Sequence, residues 1–323
     1  MKPFLKGALA VGIALFAVIQ TAAADTYPSK PIRFIVPFPP GGPTDVVARL
    51  VGQKLSESLG QSVVIDNRPG AGGIIGTDQG AKAAPDGYTI IAATAQLAVH
   101  PSLQPKMPFD VAKDFAPIGQ TYDLPMVMVV NLDVPAKTFQ DVIKLAKDKP
   151  GEFSYTSSSN GSFGHLAIEQ LKSVGGFDMV HIPYKGAAPA MTDVLAGQVP
   201  FMFSDIITAL PHIRDNKVRA IAIGNAKRSE LLPELPTVAD AGFPGFSVSA
   251  WGGIMAPKGT PKEVIDRLSG EIRKIMADPD VRKRMLQLGV EPVASSPEEF
   301  AALIRADTER WAKVIKENKI VAE

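Results

Sequence analysis

Apolar and polar positions alternate along this chain with a helical period in several segments. In residues 43–59 the apolar side chains recur at every fourth position. They are Val47, Val51, Leu55 and Leu59. This spacing lines one face of a helix. Similar patterns predict helices at 74–83, 139–147, 165–174, 188–195 and 206–214.

Short apolar runs lie between these helices. They predict strands at 32–36, 63–65, 88–93, 153–156, 179–182, 201–204 and 218–223. Strands that alternate with helices of this length are typical of βαβ units and a largely parallel sheet. The pattern therefore predicts an α/β fold with two units, one before residue 124 and one over residues 125–225.

The last part of the chain is predicted to be helical. Residues 260–263 and 296–299 each read as a capping box with proline at the first helical position. The final helix has an apolar side made of Phe300, Leu303, Ile304, Trp311, Val314 and Ile315. Docking of these helices on the first unit is one arrangement that the pattern allows. It gives a discontinuous first domain, 25–124 plus 226–323, and a second domain, 125–225.

The N-terminus has the three parts of a secretory signal peptide. Lys2 and Lys6 give a positive start, residues 7–19 are apolar, and residues 22–24 offer an A-x-A cleavage site. The apolar run is shorter than the roughly 20 residues of a membrane-spanning helix. We therefore expect residues 1–24 to be removed on export. The alternative is an uncleaved membrane anchor.

Composition narrows the classes of function. Removal of residues 1–24 changes the formal charge from +1 to −1, because Lys2 and Lys6 are lost and no acid is. A near-neutral chain without a basic run argues against a nucleic-acid partner. The chain has no cysteine, which excludes disulfides, thiolate metal sites and a cysteine nucleophile.

The segment PFPPGGPTDVVAR, residues 37–49, joins the first predicted strand to the first predicted helix; we call it the first corner. Its prolines stiffen the loop, and Gly41 and Gly42 let a ligand approach the backbone. The N–H groups of Thr44, Asp45 and Val46 at the helix start favour an anion. The alternative is that Thr44 and Asp45 only begin an ordinary helix.

The segment YTSSSNGSFGHLAIEQL, residues 155–171, has the same plan and is called the second corner. Ser157, Ser158, Ser159 and Ser162 offer hydroxyl groups, and the turn at 160–161 precedes another helix start. A serine cap on an ordinary helix is the simpler interpretation of one such corner. Two corners facing each other across a cleft would hold a carboxylate or phosphate, and their neutral donors suit a weakly charged organic acid.

Other segments are weaker candidates for the cleft wall. They are residues 92–96, 67–73 and 181–190, and Asp205 at the end of a strand. Asp205 can equally serve as a helix N-cap. Arg68, in residues 67–73, can have a purely structural role.

Catalytic and metal motifs are not evident. The histidines are His100, His165, His181 and His212, and they do not have a metal-binding spacing. Ser158, His165 and Asp205 can be imagined as a triad, although nothing in their spacing demands it. We predict no catalytic residue, no metal and no cofactor.

Seven segments together resemble a known family. In chain order they are YPSKPIRFIVPFPPGGPTDVVAR, VVIDNRPGAGGIIGTD, PDGYTI, SSSNGSFGHLA, HIPYKGAAPAMTDVLAGQV, ELPTVADAGFPGF and WGGIMAPKGTP. The chain resembles, from Tyr27 onwards, the periplasmic solute receptors of tripartite tricarboxylate transporters, also called Bug receptors.

The resemblance implies a type II-like periplasmic-binding-protein fold, in which two α/β domains joined by two crossings close on a small carboxylic acid. It implies a periplasmic location and a two-component membrane permease as partner. The ligand-binding residues implied for this chain are Phe38, Gly41, Gly42, Thr44, Asp45, Thr94, Ala95, Ser157, Ser158, Asn160, Ser162, Phe163 and Asp205. Pro43 stands where many relatives have a small residue, which removes one N–H donor.

The function predicted is capture of a mono- or dicarboxylate, with amino acids and aromatic acids left open, by a monomeric receptor that delivers it to the permease. Asp45 would favour an amine on the ligand, whereas Phe38 and Phe163 would favour an aromatic ring. Two alternatives stay open: a receptor that reports to a sensor protein, and an exported hydrolase.

Overall fold

The computed structural model describes residues 27–104 and 106–321, and the predicted signal peptide, residues 1–24, lies outside them. The described chain forms two β-sheets accompanied by helices. The strands are β1 Ile32–Val36, β2 Val63–Asn67, β3 Thr89–Thr94, β4 Phe115–Asp123, β5 Met126–Val130, β6 Ser154–Ser157, β7 Val180–Pro183, β8 Phe201–Asp205, β9 Arg219–Ile223, β10 Gly252–Pro257 and β11 Glu291–Pro292.

The helices follow the strands in most of the chain. They are α1 Pro43–Leu59, α2 Ile74–Ala81, α3 Gln96–Leu103, α4 Val111–Asp114, α5 Phe139–Asp148, α6 Phe163–Gly175, α7 Ala187–Leu195, α8 Ile206–Arg214, α9 Lys262–Ala277, α10 Pro279–Gln287 and α11 Pro297–Glu317. A 3-10 turn at Ala71–Gly73 precedes α2. Within the described residues, none of these helices has the length and apolar character needed to cross a membrane.

The two sheets have the same plan. The first has the strand order β11-β4-β10-β3-β1-β2 and the second the order β7-β6-β8-β5-β9. In the first sheet, β1 pairs in parallel with β2 and β3, whereas β10 is antiparallel to β3 and β4. In the second, β6 is parallel to β7 and β8, whereas β5 is antiparallel to β8 and β9. Each sheet is therefore mixed, and the expectation of largely parallel sheets is wrong.

The chain passes between the sheets where β4 leads into β5 and where β9 leads back to β10. The two crossings lie side by side. The N–H of Ala250 donates to the carbonyl of Leu124 at 3.1 Å, and Pro125 forms a bridge with Ser249. The hydroxyl of Ser249 donates to the Asp123 carboxylate at 3.0 Å. These contacts form one short ribbon between the sheets.

The C-terminal helices return to the first sheet. Helix α9 packs on α1 and β4, and α11 packs on α3 and β4 and also touches α6. The indole N–H of Trp251, on the returning crossing, donates to Asp307 of α11 at 2.7 Å, and both Trp251 and Trp311 are fully buried. The final helix is thereby fixed to the crossing.

The predicted capping boxes differ in outcome. Ser296 and Glu299 form the reciprocal pair at the start of α11, as predicted. At α9 the N-cap is Pro261 and no side chain caps the helix. The Thr260 hydroxyl donates instead to the carbonyl of Pro257 at 2.8 Å, so the capping box predicted at 260–263 is wrong.

Candidate functional site

A cavity of about 330 Å³ lies between the elements of the two sheets. One wall comes from α3 and the turn before α2, and the other comes from the second corner and the end of β8. The residues that line it are Gly72, Gln96, Val99, His100, Leu103, Gln104, Met126, Ser158, Ser159, Asn160, Gly161, Ser162, Phe163, Gly164, Ala187, Met202, Phe203, Ser204, Asp205 and Ala250. Ligand pockets typically have this size or somewhat more.

The second corner forms a large part of the second wall of this cavity. The hydroxyls of Ser157 and Ser162 both donate to the carbonyl of Ser159, at 2.9 and 2.8 Å. Helix α6 then begins after Ser162 without a side-chain cap. Because the first N–H groups of a helix lack intrahelical acceptors, this uncapped start offers donors to an anion.

A layer of histidines supports the second corner. The N–H of Gly161 donates to Nδ1 of His165 at 3.0 Å, and the Ser157 hydroxyl lies 2.7 Å from Nε2 of His181. The two imidazole rings stack with centroids 3.7 Å apart. The Tyr155 ring stacks on His181 at 4.9 Å.

Both histidines are held neutral. Burial lowers the pKa of His165 to about 4, with a contribution from the charge of Lys172. Burial and the adjacent His165 lower the pKa of His181 to about 4. Neutral His165 is therefore able to accept the Gly161 N–H.

The imagined triad is not assembled. Nδ1 of His165 is occupied by Gly161, and Asp205 accepts from the N–H and hydroxyl of Thr208 at 2.8 and 3.0 Å. The serine–histidine pair that does form uses Ser157, which is completely buried. A general base works best with a pKa near the operating pH, so His181 is poorly suited to activate a nucleophile.

The first corner is locked by Asp45, which is only 2 % exposed. Its carboxylate accepts from the Gly41 N–H at 2.9 Å, from Asn67 Nδ2 at 2.8 Å and from the guanidinium of Arg49 at 2.9 and 3.0 Å. Burial alone would raise the pKa of Asp45, but these donors hold it below its usual value. The carboxylate that was predicted to face an amine of the ligand is thus directed into the corner itself.

The predicted site residues fall into two groups. Those that line the cavity are Ser158, Asn160, Ser162, Phe163 and Asp205. The lining does not include Phe38, Gly41, Gly42, Thr44, Asp45, Thr94, Ala95 or Ser157. The first corner still lies near the cavity, because the Phe38 ring is packed against Gly73, next to the cavity-lining Gly72.

Thr94, at the end of β3, and Ala95, which follows it, contact the returning crossing. The N–H of Ala95 donates to the carbonyl of Trp251 at 2.9 Å, and Thr94 is in register with Gly252. In the first corner, the Thr44 hydroxyl lies 3.1 Å from that of Tyr122. Helix α1 begins after Gly42 without a side-chain cap, as α6 does after Ser162.

Helix α3 supplies a cavity wall of which only Gln96, in the candidate segment 92–96, was predicted from the sequence. Its contribution, with the residue that follows it, is Gln96, Val99, His100, Leu103 and Gln104. This spacing is that of one helix face. The helix directly follows a predicted strand. Because ligands in α/β folds bind beyond the carboxyl ends of strands, this position could have indicated that the helix lines the cavity.

The α3 wall touches the second corner. A Cβ atom on Gly161 would lie 2.4 Å from Cδ1 of Leu103, and Gly161 has a φ of +69°. Only glycine fits both the backbone conformation and the space. Both residues line the cavity, so the contact joins its two walls.

The cavity is nearly free of charge. Among the described residues that line it there is no lysine or arginine, and its ionisable side chains are His100 and Asp205. Within the described chain, no group of three or more histidine, aspartate or glutamate side chains is placed to hold a metal ion. The arrangement suits a small organic ligand held by hydroxyls, amides and backbone N–H groups.

Comparison with known proteins places these features in a family. The family model described as tripartite tricarboxylate transporter family receptor matches residues 47–320. BugT of Bordetella pertussis is 39% identical over 315 residues, which cover 97% of each chain. A protein encoded in the tcbD-tcbE intergenic region of Pseudomonas sp. (strain P51) is 41% identical over 96% of this chain and 94% of its own.

Three solved structures are informative. An R. palustris protein with adipate is 34% identical, with a TM-score of 0.74 over 92% of this chain and all of its own. MatC of Rhodopseudomonas palustris with bound malate is 31% identical, with a TM-score of 0.70 over 90% of this chain and 100% of its own. A solute binding protein from Polaromonas without ligand is 28% identical, with a TM-score of 0.84 over the same shares.

Proposed function

This chain belongs to the family of tripartite tricarboxylate transporter receptors, and from that premise we propose that it captures a small mono- or dicarboxylate in the cavity between its two sheets and delivers it to a two-component permease. Family and structural neighbours are periplasmic binding proteins. The cavity, lined by hydroxyl and amide groups and by no lysine or arginine among its described residues, carries the proposal.

The second corner is the proposed grip on the carboxylate. Its serine hydroxyls and the uncapped start of α6 converge on the cavity. The uncapped start of α1 is the second grip, brought to the ligand when the cleft closes. Malate and adipate bound to two family structures support an acid of this size.

We infer that this structure is an open form of the receptor. The TM-score is 0.84 with the Polaromonas protein without ligand, and 0.74 and 0.70 with the structures that contain adipate and malate, which supports the inference. Closure around the ligand then shifts a hinge equilibrium.

The remaining parts of the proposal concern the whole chain. We infer that residues 1–24 are a cleaved signal peptide. We propose two domains close to the predicted 25–124 plus 226–323 and 125–225. The limit at 124 falls at the outward crossing, whereas the returning crossing lies at Ser249 and Ala250. Residues 226–248 therefore join the second domain, where the N–H groups of Val238 and Val248 donate to the carbonyls of Ile223 and Gly224. A monomer is the simplest state for a receptor that closes by a hinge.

The test is a thermal-unfolding screen of residues 25–323 against mono-, di- and tricarboxylates, amino acids and aromatic acids. A ligand at about 100 times its Kd adds about 2.7 kcal/mol to the free energy of unfolding, which raises the melting temperature measurably. Ser158→Ala should weaken the hit. Ester turnover that is lost in Ser158→Ala would contradict the proposal, and so would citrate as the tightest ligand.

A further inference from the structure

We infer that His100 donates a hydrogen bond to a second carboxylate of the ligand, so that this receptor selects short dicarboxylates over monocarboxylates. The inference rests on the proposed function, because it concerns the same cavity. In this inference, the α3 wall binds the end of the ligand that the two corners do not hold.

The first step is the surroundings of His100. Its imidazole lines the cavity, and its Nδ1 atom is buried without a hydrogen-bond partner among the described residues. An orphaned buried acceptor is tolerated more readily than an orphaned buried N–H donor. The ring therefore carries its proton on Nε2, the nitrogen beside Gly72, and presents an N–H donor.

The second step is the room around Nε2. A Cβ atom on Gly72 would lie 3.3 Å from Cε1 and 3.4 Å from Nε2 of His100. Gly72 has a φ of +64°, a conformation that glycine adopts readily. The absence of a side chain there leaves this edge of the ring accessible to a ligand oxygen.

The third step is the choice of ligand group. Gln96 lies one turn before His100 on the same helix face and is exposed in the cleft. Its amide and the imidazole N–H can both donate to one carboxylate. The carboxylate of Asp205 belongs to the opposite wall, at the N-cap of α8, so a second negative charge is favoured on the α3 side.

The proposal also predicts proton uptake. Burial lowers the pKa of His100, and a bound carboxylate opposes this shift by favouring the imidazolium. Among the described residues, the charged groups that line the cavity and the neighbouring groove beyond α3 are Asp205 in the cavity and Asp110, Arg305 and Glu309 in the groove. Dicarboxylate affinity should therefore increase as the pH falls from 8 to 6.

The experiment compares matched acids by titration calorimetry: succinate against butyrate, and adipate against hexanoate. In the wild-type protein, we expect at least one diacid to bind roughly tenfold or more tightly than its monoacid. The binding enthalpy of that diacid should vary with the ionisation enthalpy of the buffer, which measures proton uptake. His100→Leu should lose most of the ratio of diacid to monoacid affinity, and should lose the proton uptake.

His212→Leu is the matched control. His212 is also half-buried on a helix with an unpartnered Nδ1, but it is not part of the cavity lining. We expect this variant to bind both acids as the wild type does. If His100→Leu does not fold, His100→Gln keeps a donor and should bind the diacid without proton uptake.

Monoacids that bind as tightly as diacids would overturn the inference and leave the proposed function standing. Equal weakening of both acids in His100→Leu, or persistent proton uptake in either His100 variant, would overturn it as well. Failure of every carboxylate in the screen to bind would instead refute the proposed function, and the inference with it.

Discussion

The imidazole rings of His165 and His181 stack 3.7 Å apart behind the serine loop that lines the cavity. Each ring holds one part of that loop, His165 through the Gly161 N–H and His181 through the Ser157 hydroxyl. The bond to Gly161 requires a neutral His165, because a proton on Nδ1 of His165 would face the N–H of Gly161. The shape of the second corner is therefore linked to pH.

We expect the protein to lose stability as the pH falls from 6.5 towards 4. The folded-state pKa of each ring lies near 4, below the ordinary value of 6.5. Between these values the unfolded chain binds more protons, so stability is complete above pH 6.5 and decreases below it. For His165 alone the loss amounts to about 3 kcal/mol.

Urea unfolding at several pH values measures this loss. In His165→Asn the side-chain oxygen still accepts the Gly161 N–H, but the group does not titrate. The variant should therefore show a shallower decrease of unfolding free energy below pH 6.5. An unchanged slope would exclude His165 as its source.

Asp45→Ala should destabilise the protein by about 2–3 kcal/mol, because the donors of Gly41, Asn67 and Arg49 lose a buried charged acceptor. Asp266→Ala is the control, since Asp266 pairs with Lys262 in an exposed ion pair. Such pairs contribute roughly 0–1 kcal/mol. Urea unfolding of both variants gives the comparison, and equal losses would contradict a locking role for Asp45.

Gly161→Ala should weaken both folding and ligand binding, because its Cβ would overlap Leu103 in addition to straining the backbone. Gly176 caps the same helix with a φ of +61° and has open space where a Cβ would be. Gly176→Ala should therefore cost only the backbone strain, about 1 kcal/mol. Thermal unfolding and calorimetry with a carboxylate hit separate the two effects.

Asp205→Asn should bind a dicarboxylate more tightly than the wild type, because it removes a negative charge from the cavity wall while asparagine still caps α8. Asp205→Ala removes the charge and the cap together, and should lower the unfolding free energy by about 1 kcal/mol. Calorimetry and urea unfolding test the pair. Weaker binding in Asp205→Asn would indicate that the carboxylate itself contacts the ligand.

Helix periodicity allowed much of the fold to be predicted. Helices α1 and α8 have the predicted limits, because their apolar stripes are regular. Strands β4, β5, β10 and β11 were not predicted. The run Met126–Val130 is apolar throughout, and such a run does not reveal which neighbours a strand pairs with or in which direction.

The site was predictable only in part. Ser158 lies in a loop whose composition indicates ligand contact, Phe163 begins the helix that follows it, and both line the cavity. His100 was considered only for metal spacing, because the role of α3 depends on packing against Gly161, more than 50 residues away. For Asp45, the sequence did not indicate that Asn67 and Arg49 would occupy its carboxylate.

The paired crossings limit how the two halves can move. A ribbon of two hydrogen-bonded strands bends readily across its plane, but it resists sliding and shear within the plane. The hydrogen bonds from Ala250 to Leu124 and from Ser249 to Asp123 therefore favour bending over sliding between the sheets. For the closure proposed above, bending without sliding would present a partner with nearly the same closed shape each time.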